Sequence, residues 1–388
     1  MRQAWMRTFV LMCRARILNG SPMANDHHSK TLPRRQLMKA AVGLGLTAVG
    51  GLAAPLVARA GTVPSRIDVH AHLIPDFYRQ AMADHGVEGD GGIPIPAWSP
   101  TAAVNFMDKF GIQAQVVSLS EPGFAFLPDR TAREQMARRV NDYIRDALIQ
   151  VPSASSLCRR FGGFASLPLG DPDDPAEVAA ACAEAERAIH TLGLDGIGLY
   201  SSYKGIYLGD PRLDPLMRTL NRLGAYVFIH PVAPPVRPEL SMPNFVLDFP
   251  FETTRAVTNL LYKGIFLRYP FIRWQLAHAG GTIPFLSYRS ALLALNLNPR
   301  NSSYSRLFYD TALSSAPPAM AALRQVTEVS HILLGTDYPY AGIVYALKWP
   351  GDPNPELNDS FNPSERMQVD RSNALAQLPR LAKRLDTR

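Results

Sequence analysis

Arg66-Ile67-Asp68-Val69-His70-Ala71-His72 is the stretch on which both the fold and the chemistry turn. It reads as a buried strand. Side chains alternate across a strand, so Asp68, His70 and His72 share one face while Ile67, Val69 and Ala71 share the other. Two imidazoles at that spacing on one face can close on a single divalent metal. A lone H-x-H is a weak signal, and its meaning depends on what the rest of the chain places beside it.

Working outward, apolar runs bounded by turns alternate with helical stretches. The strand candidates are 67–72, 115–119, 161–167, 196–200, 225–230, 273–278, 307–310 and 331–337. Helical patterns fall at 102–110, 132–150, 176–192, 211–223, 253–269, 282–294 and 317–327, and a last one within 363–378 stops before Pro379. Such alternation argues for parallel β/α units. Eight strands of this kind predict an α/β fold, a closed (β/α)8 TIM barrel rather than an open doubly wound sheet. No G-x-G-x-x-G follows the first strand, which weighs against a dinucleotide-binding domain. The segments 89–100 and 231–250 are too long for plain connectors, and they are expected to lie as long loops over the C-terminal face.

The catalytic domain is expected over 61–388. Residues 1–60 read as an export signal of the twin-arginine type, which can equally start at Met23. Arg34-Arg35 precedes a Gly/Ala/Leu-rich run from Ala40 to Val57, and Ala58-Arg59-Ala60 offers a cleavage site. That run carries Gly43, Gly45, Gly50, Gly51 and Pro55, which makes it a poor permanent membrane span. The expected location is the periplasm or the exterior. The segment holds nine of the 40 Lys/Arg and one of the 33 Asp/Glu, so the formal charge of +7 becomes −1 without it. There is no basic case for nucleic acid binding. Of three cysteines, Cys158 and Cys182 remain, a pair but not a disulfide framework.

Four of the seven histidines in 61–388 fall at predicted strand ends: His70 and His72, His230 and His278. Asp337 ends the eighth strand. Parallel barrel strands bring their C-terminal ends to one face, where catalytic groups gather. Each residue also has a plain structural reading. His230 precedes Pro231 and suits a turn, His278 precedes Ala279-Gly280-Gly281 and suits a helix start, and Asp337 suits a helix N-cap. Together those plain readings require several coincidences at one face. Asp68 lies one layer deeper and suits either a hydrogen bond to a ligand histidine or a packed core layer.

These residues carry a resemblance to the amidohydrolase superfamily, in the branch that includes aminocarboxymuconate-semialdehyde decarboxylase and the metal-dependent aromatic acid decarboxylases. The anchors are Asp68-Val69-His70-Ala71-His72, Phe228-Ile229-His230-Pro231, Leu276-Ala277-His278-Ala279-Gly280-Gly281 and Gly335-Thr336-Asp337-Tyr338-Pro339. Gly205–Pro211 and Phe249–Arg255 are similar to the 6-methylsalicylate decarboxylase group. The resemblance implies that His70, His72, His230 and Asp337 ligate one metal, with His278 and Asp337 as the catalytic residues. Three imidazoles and a carboxylate suit zinc, while manganese or magnesium prefer more oxygen. Binuclear relatives use a bridging lysine at the end of strand four; here that strand ends Gly198-Leu199-Tyr200, which favours one ion.

The expected reaction is non-oxidative decarboxylation of an aromatic or enoic acid, with a small aromatic carboxylate as substrate and a homodimer implied by the relatives. Arg255, Phe251 and Tyr338 are the expected substrate contacts. Metal-assisted hydrolysis of a lactone or amide is the alternative on the same barrel. A non-catalytic exported metal-binding protein is the reading from another class, and it requires a site with no open coordination position.

Overall fold

In the computed structural model, residues 65–236, 240–292 and 303–386 are described. The expected export segment lies outside them. Eight strands form one sheet in chain order: β1 (Arg66–His72), β2 (Ile112–Ser118), β3 (Phe161–Ser166), β4 (Gly196–Tyr200), β5 (Tyr226–His230), β6 (Arg273–Leu276), β7 (Phe308–Asp310) and β8 (Ile332–Leu333). Neighbours pair in parallel throughout. The circle closes between β8 and β1, where Val69 N–H donates to the Leu334 carbonyl at 2.9 Å and Ala71 bridges Tyr338 in parallel. The expected barrel is therefore present.

Helices cover the outside, and several start on side-chain caps. Ser99 caps α2 (Pro100–Lys109), Asp129 caps α3 (Arg130–Tyr143) and Asp174 caps α4 (Pro175–Glu186), each accepting a first-turn backbone N–H. The helical runs expected to reach Gln150 and Leu192 do so through π-helical turns, Ile144–Ile149 and Arg187–Thr191. Inside the barrel, alternate residues of β5 stack inward: Tyr226 and Phe228 lie against Phe164, with ring centroids 5.8 and 5.7 Å away. The opposite face of β1, Ile67 and Val69, packs in one cluster with Ala374, Leu378 and Leu381 from the C-terminal helices.

Several elements differ from expectation. Helix α1 (Asp76–Asp84), which precedes α2, and a final helix at Pro379–Asp386 were not anticipated. Segment 89–100 contains a small antiparallel ribbon, Gly89–Asp90 against Ile93–Pro94. Segment 231–250 is only half loop, because the next helix, Asn244–Tyr262, runs straight through Pro250. Proline deprives the Val246 carbonyl of its helical donor, but Val246 is exposed and solvent serves instead. That helix stops where Gly264 turns left-handed at φ 66°, so the expected 253–269 helix is two pieces. The paired part of β8 is only Ile332–Leu333; Asp337 sits beyond it in a loop. Cys158 and Cys182 are free. No helix among the described residues is long and apolar enough to cross a membrane.

Candidate metal and catalytic centre

β1 delivers His70 and His72, the last residue of β5 is His230, and the loop after β8 carries Asp337. All four are buried, and each offers a ligand atom such that all lie within 4.8 Å of one another. His70 Nε2 lies 3.1 Å from His72 Nε2, and Asp337 Oδ1 lies 3.5 and 3.1 Å from these two nitrogens. Donors about 2.0–2.1 Å from a tetrahedral zinc stand roughly 3.3–3.4 Å apart, so this spacing fits a shared cation.

The outer ring nitrogens explain the inward ones. His70 Nδ1 lies 3.1 Å from both Asp310 oxygens, and His72 Nδ1 faces the Ser118 carbonyl at 3.3 Å. Both partners are acceptors, so the hydrogen-bond network assigns the protons to Nδ1 and leaves Nε2 lone pairs turned inward. Two such nitrogens 3.1 Å apart need a proton or a metal cation between them. This donor set fits one divalent metal and its supporting shell.

Asp310, at the end of β7, was not singled out from the sequence, although it obeys the same strand-end rule as Asp337. It also accepts from Gln275 Nε2 at 3.0 Å and from the backbone N–H of His278 at 3.1 Å. Asp68 does not touch a ligand ring. It accepts from the His70 backbone N–H, from Gln115 and from the Thr336 N–H and hydroxyl, thereby tying β1 to the Asp337 loop.

His278 is not a helix start. His278, Ala279, Gly280 and Gly281 all have positive φ, from 55° to 76°, and together make one tight turn. Non-glycine residues pay about 1–2 kcal/mol each for that conformation. The turn aims His278 Nε2 at Asp337 Oδ2, 3.2 Å away. Asp337 is itself left-handed at φ 59° and caps no helix with its side chain. Strain concentrated at two adjoining polar residues is typical of functional sites.

Charges sort accordingly. Burial, reinforced by His72, His70 and His278, holds His230 well below the usual histidine value. Burial also lowers His72, against the pull of Asp337. Burial would lower His70 as well, but Asp310 and Asp337 outweigh it and raise it to about 9. For Asp337, burial is overcome by His70, His278 and His72, and the carboxyl stays well below its usual range.

A cavity opens onto His230 and Asp337, with about 520 Å³ of free space that includes its solvent-open mouth. Ile93, Phe245, Phe249, Leu313, Tyr340 and Val344 make its walls largely apolar. The three expected substrate contacts lie elsewhere. Arg255 and Phe251 line a separate surface cavity, where Arg255 pairs with Glu252. The Tyr338 ring stacks on Phe106 at 4.1 Å and packs in the core. Residues two positions away, Phe249 and Tyr340, take the wall positions instead.

Residues 67–375 match the amidohydrolase family. Over 339 residues the chain is 35% identical to the 6-methylsalicylic acid decarboxylase of Penicillium expansum, a match spanning 83% of this chain and 98% of that protein. It is 36% identical over 300 residues to the decarboxylase yanB of Aspergillus niger, covering 72% and 78%. Among solved structures, the 5-carboxyvanillate decarboxylase of Novosphingobium aromaticivorans, complexed with manganese and 4-hydroxy-3-methoxy-5-nitrobenzoic acid, superposes with a TM-score of 0.65 at 22% identity, covering 81% and 96%.

Proposed function

This chain belongs to the amidohydrolase family, and on that premise we propose that it is a metal-dependent decarboxylase acting on an aromatic acid with a hydroxyl beside its carboxyl. It is a carbon–carbon lyase, and the reaction is non-oxidative. The observation that carries this reading is the largely apolar cavity lined by His230 and Asp337.

His70, His72, His230 and Asp337 would hold one divalent cation. When bound, it supplies Lewis-acid withdrawal of negative charge from substrate oxygens. Zinc is the choice favoured by three imidazoles and one carboxylate, and manganese is the ion found with the carboxyvanillate decarboxylase. The remaining work falls to the chain. Asp337, kept ionised by its imidazole neighbours, takes the phenolic proton and returns it to the ring carbon that bears the carboxylate. The carbon–carbon bond then breaks, its electron pair stays with the ring, and CO2 departs. His278, in contact with Asp337 Oδ2, passes a solvent proton back to the phenolic oxygen. One proton is consumed per turnover. The aromatic walls Phe245, Phe249 and Tyr340 keep water from the reacting carbon.

The test is to load purified protein separately with zinc and with manganese and assay CO2 release from 2-hydroxybenzoates, alongside lactone opening. Expected is stoichiometric CO2 and phenol, lost in Asp337→Asn with the metal still bound. Lactone opening without CO2 release would overturn the proposal in favour of a hydrolase.

A further inference from the structure

Asp90 stands in the same cavity, and the chemistry above makes no use of it. It lies on the ribbon Gly89–Asp90 and is 3% exposed. Neither carboxyl oxygen has a hydrogen-bond partner. The Ser120 and Tyr340 hydroxyls are near enough to stabilise its charge somewhat, but neither meets hydrogen-bond geometry. A buried carboxyl left unpaired is costly, so such groups are rare unless a ligand completes them.

The position is fixed rather than loose. The Gly91 carbonyl accepts the Phe245 backbone N–H at 3.2 Å, which locks the ribbon onto the start of the helix Asn244–Tyr262. Gly92, at φ 86°, packs so closely on Pro243 that a Cβ there would stand 2.9 Å from the Pro243 Cα. By contrast, the neighbouring acid Glu121 is satisfied, accepting the Ala233 N–H at 2.8 Å. Burial, with Glu121 nearby, pushes the Asp90 carboxyl well above its usual range. Ionised or protonated, it keeps an acceptor oxygen.

We infer that Asp90 is a specificity-determining residue that accepts a hydrogen bond from a hydroxyl or amino substituent of the aromatic substrate, at a ring position other than the one held at the metal ligands. His230 and Asp337 line this cavity, Asp90 lines it as a further polar residue, and most of the remaining walls are apolar. A site built around such an acceptor disfavours rings that leave it unpaired. The inference rests on the aromatic-acid reading above.

The experiment compares wild type with Asp90→Asn and Asp90→Leu, using salicylate and the dihydroxybenzoates that carry one further hydroxyl. Wild type is expected to prefer one dihydroxybenzoate. In the Leu variant its advantage in kcat/KM over salicylate should fall tenfold or more, chiefly through KM. The Asn variant, which keeps an acceptor oxygen, should recover most of it. An advantage unchanged within twofold in both variants overturns the inference. Binding of phenol, catechol and resorcinol is measured in parallel by titration. If no acid is decarboxylated, the reaction proposal fails by itself. The Asp90 inference is then decided by whether the Leu variant loses the preference for a diol over phenol.

Discussion

Asp310 governs more of the centre than any metal ligand does. One carboxylate faces His70 Nδ1 and anchors the backbone of His278, so it couples the His70–His72 pair to the His278 turn. It ends a short strand, Phe308–Asp310, and its role was readable from the rule that located Asp337. What concealed it is that strand position does not say which acid faces the ion and which faces a ligand's far nitrogen. The raised His70 has a measurable consequence. Its value of about 9 means that a proton occupies His70 Nε2 at neutral pH when no cation is bound. Metal must displace that proton, whereas His72 and His230 are already neutral. Uptake of zinc by chelator-stripped protein should therefore release about one proton at pH 7.5 and almost none above the His70 value. Affinity should rise with pH until then and level off. Calorimetry in buffers of different ionisation heat reads the count, and zero release at pH 7.5 would contradict the assignment.

Among the elements, the turn His278–Gly281 is the least forgiving. Gly281 has φ 65° and ψ −121°, and a Cβ on it would stand 2.1 Å from the Pro250 carbonyl oxygen. Neither the dihedral nor the contact can be relieved without moving the helix Asn244–Tyr262. Gly281→Ala should cost roughly 2–4 kcal/mol, measured as a lower denaturation midpoint, and should depress activity further by displacing His278. Full activity and stability in that variant would refute the turn geometry. The strands were legible because fully buried β/α strands read as continuous apolar runs, and Gly196–Tyr200 matched to the residue. The tight turn was not, since Ala-Gly-Gly equally describes an ordinary helix entry. The helix through Pro250 was missed because a proline suggests a break, while the surface there tolerates one lost bond.

Across the barrel, strand order and the gathering of His70, His72, His230, His278 and Asp337 at one rim followed from the alternating pattern, while the choice of four of them as donors came from the family resemblance. The cavity walls did not. Loop conformation decides whether Phe249 or Phe251, Tyr340 or Tyr338, turns inward, and spacing carries no such information. Closure also places the centre in a particular way. His70 and His72 lie on one lip of the β8–β1 seam and Asp337 on the other, with the Asp337 N–H donating to the His70 carbonyl at 2.7 Å. Chelation should accordingly speed amide exchange at Val69, His72 and Asp337 more than at Val227, which sits in the ladder between β4 and β5. Uniform exchange changes would argue against it. A cation held across this seam would act as a clasp as well as a reagent. An organism short of the metal would be expected to lose the folded protein to proteolysis, rather than keep a stock of intact but idle enzyme.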